Sequence, residues 1–118
     1  MSLDDLTGVW SSKDDTSSFT ITKVWEHFLI HGIRIHALKN AKTPYENIGI
    51  IESYDEQGKT FNVKWRNTAR FGNNPTEEIT TKIEIVSATE LQFNNQVSSG
   101  SDTFKKYGNL KKICDYPN

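Results

Sequence analysis

Apolar and polar residues alternate with a period of two along most of this chain. Phe19 and Ile21 alternate with Ser18, Thr20 and Thr22, and Ile33, Ile35 and Ala37 with Arg34 and His36. Phe61, Val63 and Trp65 alternate with Asn62, Lys64 and Arg66; Ile83 and Ile85 with Lys82 and Glu84; Leu91 and Phe93 with Glu90 and Gln92. Each run is short and rich in β-branched or aromatic residues. A period of two sends successive side chains to opposite faces, so these runs read as strands with one buried and one wet face. The spacing predicts strands near 7–12, 18–24, 26–30, 33–38, 47–54, 60–67, 79–87, 90–95 and 102–107, with a further extension at 110–113. No stretch keeps a helical period over three turns.

The separators carry turn chemistry: Lys13-Asp14-Asp15, His31-Gly32, Asp55-Glu56-Gln57-Gly58, Gly72-Asn73-Asn74-Pro75, Ser87-Ala88-Thr89 and Ser98-Ser99-Gly100-Ser101. Gly, Asn, Asp and Ser tolerate unusual backbone angles or bond their own backbone. Many antiparallel strands joined by short turns make a meander. An open sheet of eight or more strands would leave long exposed edges, and closure removes them. The expected fold is therefore all-β: an up-and-down antiparallel meander closed into a small barrel of eight to nine strands, with a two-sheet β-sandwich as the alternative. The inward set would be Phe19, Ile21, Ile33, Ile35, Ile48, Ile50, Phe61, Val63, Trp65, Ile83, Ile85, Leu91 and Phe93. Extending the same parity places Lys23, Glu52 and Tyr54 at strand ends, around a barrel mouth.

Composition narrows the function classes. At 118 residues the chain makes a single domain, 1–118, with one core. A net charge of −1 argues against a general nucleic-acid binder, because counterion-driven binding needs a basic footprint. The basic residues of 60–71 do not rescue that reading, since alternation puts Trp65 on the opposite face from Lys64 and Arg66. No run of 18 apolar residues exists, so no transmembrane segment is expected. The single cysteine, Cys114, fits a reducing compartment and slightly favours the cytoplasm, although a removed signal peptide would look the same.

Candidate chemistry is sparse. His27, His31 and His36 cluster in sequence without a further ligand-rich segment to complete a tetrahedral zinc site, so no metal is expected. There is no nucleophile elbow, no Gly-rich phosphate loop and no nucleophile with a visible base. No catalytic residue and no cofactor are assigned, and the reading leans away from an enzyme.

The two ends of the chain add a resemblance. Gly8-Val9-Trp10 opens the first strand, and SATELQFNN (87–95) is followed by SGSDTFKK (99–106), a hairpin of the form turn-Leu-x-Phe, loop, aromatic-x-basic. Together these motifs resemble the calycin or lipocalin-like superfamily, and small bacterial lipocalin-like domains more than secreted carriers. The chain departs from the secreted carriers in lacking a disulfide pair and an obvious C-terminal helix. The resemblance implies that Gly8 and Trp10 plug one end of the barrel, with a late lysine, Lys106, packed across the indole. With the one-sided alternation it points to a small apolar or amphipathic ligand, for which inward parity makes Lys23, Ile35, Ile50, Glu52, Tyr54, Phe61, Val63 and Trp65 the candidate contacts. The alternative is a filled barrel acting as a protein-interaction module without a ligand; a homodimer is left open.

Overall fold

The computed structural model describes residues 1–12, 17–34, 45–67, 78–97 and 109–116. A short 3₁₀ turn (Leu3–Leu6) precedes eight strands: β1 (Gly8–Ser12), β2 (Ser17–Val24), β3 (His27–Arg34), β4 (Tyr45–Asp55), β5 (Thr60–Asn67), β6 (Glu78–Ser87), β7 (Glu90–Val97) and β8 (Asn109–Asp115). Each strand pairs antiparallel with the next, and β1 pairs with β8 to close the barrel. The closed meander is the expected architecture, and the sandwich is set aside.

Alternation locates the core where each strand offers a bulky residue on one face. Trp10, Phe19, Ile21, Phe61, Val63, Trp65, Ile83, Ile85, Leu91 and Phe93 all face inward, joined by Leu6, Ile30 and Leu110. The rings of Phe19, Trp65 and Phe93 lie against one another, with centroids 5.6 to 6.4 Å apart. Trp65 Nε1 donates to Thr81 Oγ1 at 2.8 Å, so the buried indole N–H is satisfied inside the barrel.

The structure corrects the strand map in two places. The segments 26–30 and 33–38 were expected as separate strands with His31-Gly32 as their turn, but β3 runs unbroken through that pair. Gly32 points inward there because Phe19 fills the space: a β-carbon on Gly32 would fall 2.4 Å from Phe19 Cε1. The closing strand is Asn109–Asp115, covering the extension expected at 110–113, while the strand expected at 102–107 lies outside the described residues.

The facing of β3 and β4 is corrected as well. Alternation puts Ile33, Ile48 and Ile50 inside, but the inward positions are Ile30 and Gly32 on β3, and Asn47 and Gly49 on β4. Ile48 is 43% exposed, and Ile33 and Ile50 are half-buried. Gly49 yields its interior space to Val63 and Trp65, which a β-carbon there would meet at 2.5 and 3.0 Å. Further along β4, the register shifts between Ile51 and Ser53. This bulge leaves Glu52 unpaired and returns Tyr54 to packing against the core.

Candidate functional site

The end of the barrel that receives the start of β1 is capped by the chain itself. Gly8 adopts φ 147°, and a β-carbon there would collide with the Cys114 carbonyl oxygen at 2.2 Å. Only glycine fits both demands, and that bend turns Leu3–Leu6 across the end of the barrel. Leu6 and Trp10 are both fully buried, and Trp10 Nε1 donates to the Leu6 carbonyl at 2.9 Å. Lys112 from β8 places its ammonium 5.6 Å from the Trp10 ring and donates to the Asp5 carbonyl at 2.7 Å, with Asp115 beside it. The lysine over Trp10 is thus Lys112, while Lys106 lies outside the described residues.

Lys23, Glu52 and Tyr54 lie at this same capped end. Lys23 Nζ is 3.3 Å from Asp4 Oδ1 and covers the Phe28 ring at 5.4 Å. The Tyr54 hydroxyl donates to the Met1 carbonyl. Its phenol is pushed above its ordinary value of 10.0, first by desolvation and then by the negative charges of Glu56, Asp5 and Asp55. Glu52 is exposed on the bulge. The three residues therefore border a closed floor, and Lys23 and Tyr54 hold the N-terminal segment down through Asp4 and Met1.

Phe61, Val63 and Trp65 are no more than 1% exposed and pack within the core. Ile35 lies outside the described residues. One interior position differs in kind. Asn47 is 3% exposed and inward-facing on β4, and its carboxamide has no hydrogen-bond partner among the described residues. Gly32 and Asn67 are its register partners, on the side of the barrel away from Leu6.

Ile50 belongs to a different place, the outer face of β3–β5. The register aligns Leu29, Ile50 and Lys64 in one row across three strands, and His31, Ile48 and Arg66 in the next. Leu29, Ile48, Gly49, Ile50, Lys64, Trp65 and Arg66 line an open groove of about 450 Å³. Leu29, Ile48 and Ile50 give it aliphatic surface and two cations stand along one border. Leu29 escaped the sequence reading because Phe28-Leu29-Ile30 is apolar at every position and hides which parity faces out. Trp25 escaped it too: it is 86% exposed at the β2–β3 connection, where a bulky indole carries no turn signal.

Among the described residues, no three His, Cys, Asp or Glu side chains converge to hold a metal ion, and no helix is long and apolar enough to cross a membrane. No family model matches the chain, and no curated protein or solved structure matches it either.

Proposed function

We propose that this chain is a non-catalytic, lipocalin-like binding domain whose ligand lies on the outer face of β3–β5 and not in the interior. The ligand class is an amphipathic small molecule with an apolar body and an anionic head. One observation carries the reading: the aromatic core occupies the barrel interior, while Leu29, Ile48 and Ile50 present aliphatic surface in a groove beside Lys64 and Arg66. A volume of about 450 Å³ is within the range of small-molecule sites, and such sites pair an apolar lining with a few placed polar groups. An acyl chain laid across the aliphatic rows would bring a carboxylate to the β5 border.

Methyl-resolved NMR tests this with dodecanoate and, as a neutral control of the same chain, dodecanol. The expected result is saturable shifts at the methyls of Leu29, Ile48 and Ile50, with dodecanoate the tighter ligand and Arg66→Ala erasing the difference. Absence of saturation, or shifts confined to the interior methyls of Ile21, Ile83 and Ile85, would overturn it.

Asn47 favours a second reading. A buried carboxamide without a partner costs free energy, and a ligand head entering from the side away from Leu6 would satisfy it. The calycin resemblance agrees with an interior ligand. The same titration separates the two readings by which set of methyls moves.

A further inference from the structure

The β2–β3 connection is two residues long, Trp25-Glu26, between the paired residues Val24 and His27. Trp25 takes φ 57°. Positive φ at the first central position of such a turn is where glycine is favoured, because a side chain there meets the backbone. A bulky residue in this region is a conformational outlier. The indole is also 86% exposed, next to Val24 at 45%, so burial within the fold does not account for it. Among the described residues, no ring or cation packs on it, whereas its neighbour Phe28 is covered by Lys23.

Acidic side chains outnumber basic ones around this tip. Glu26 adjoins Trp25, and the topology brings Asp4, Asp5, Asp55, Glu56 and Asp115 to the same end of the barrel. Lys23 and Lys112 are tied to Asp4 and Asp115, the N-terminal ammonium lies 3.8 Å from Glu56 and His27 Nε2 3.8 Å from Glu26, and Lys59 is the further lysine, in the β4–β5 turn, which leaves an acidic excess. An exposed tryptophan beside an acidic surface is complementary to an apolar stripe flanked by cations, and tryptophan is enriched among residues that dominate protein interfaces. An anionic membrane would be repelled by the same charges.

We propose that Trp25 is the anchor by which the capped end of the barrel docks a basic, amphipathic segment of another protein. This surface is distinct from the β3–β5 groove and does not depend on it. Trp10 and Trp65 are buried, so the quenchable tryptophan emission of the folded chain reports on Trp25.

The test titrates the whole chain with a labelled amphipathic peptide of leucine and lysine, its leucine–glutamate counterpart, and vesicles of phosphatidylcholine with and without phosphatidylglycerol. The expected result is a blue shift and loss of acrylamide quenching with the leucine–lysine peptide, and none with the other probes. Binding of that peptide should weaken by about tenfold or more in Trp25→Gly, as for an interface hot spot, and recover in Trp25→Phe. Trp25→Gly also suits the turn, so an unchanged or higher melting temperature separates lost docking from lost fold. Equal response to the acidic peptide, binding that survives Trp25→Gly, or a response to vesicles alone would each overturn the proposal.

Discussion

Trp10 concentrates several interactions in one side chain. Its ring is covered by the Lys112 ammonium, its N–H is spent on the Leu6 carbonyl, and its body joins the capping turn to the core. Truncation would therefore remove packing and leave the Leu6 carbonyl without its donor. Trp10→Ala is expected to cost about 3–5 kcal/mol, as for other buried large aromatics. Urea unfolding followed by circular dichroism measures this, and methyl shifts on the β3–β5 face should stay those of the wild type. The Gly-x-Trp motif made the plug legible in the sequence. Which lysine covers it was not legible, because that depends on the register between β1 and β8, set by a shift between Val9 and Trp10.

Among the elements, β5, most of β6 and the inner half of β2 were readable because each carries bulky apolar residues on one parity, Val86 of β6 apart. In β3 and β4 the pattern misleads for a shared physical reason. Their inward positions include Gly32 and Gly49, since rings and a valine from neighbouring strands already occupy that space, and Ile33, Ile48 and Ile50 are left outside. Hydropathy ranks glycine below isoleucine and so inverts the strand. Substitution exposes the inversion. Gly49→Ala, which adds one methyl against Val63 and Trp65, is expected to cost about 1–3 kcal/mol by overpacking. Ile48→Ser, which removes far more apolar volume, should change stability by about 0.5 kcal/mol or less because it acts on the surface. Differential scanning calorimetry of the two variants checks the order. The groove could not be read beforehand, because it arises from three outward rows that only the observed register aligns.

For the whole molecule, the β7–β8 seam is the least paired part of the ring among the described residues. It has three register pairs among the described residues, against eight between β2 and β3. A polar tie supports it: Glu90 accepts from Lys111 and from Asn109 Nδ2 at 2.6 Å. The Lys111 hydrogen bond, opposed by desolvation and aided by the lysine charge and Asn109, holds the Glu90 carboxyl below its ordinary value of 4.5. A depressed carboxyl pKa stabilises the fold above the unfolded value, and that contribution is lost as pH falls through the folded one. Urea midpoints should therefore drop on acidification below about 4.5, and Glu90→Gln should flatten that part of the profile while being less stable at neutral pH.

Closure of the ring by β1 and β8 also has a kinetic consequence. Gly8 pairs with Asp115, so the last bonds to form join residues separated by nearly the whole sequence. The hairpins between consecutive strands can form locally and early. The two edges cannot meet until β8 has left the ribosome. Until then β1 and β7 each offer an unpaired row of backbone donors and acceptors. The nascent chain is thus most exposed to mispairing before β8 emerges, and a barrel with this topology folds at the slow, non-local end of the range for small domains.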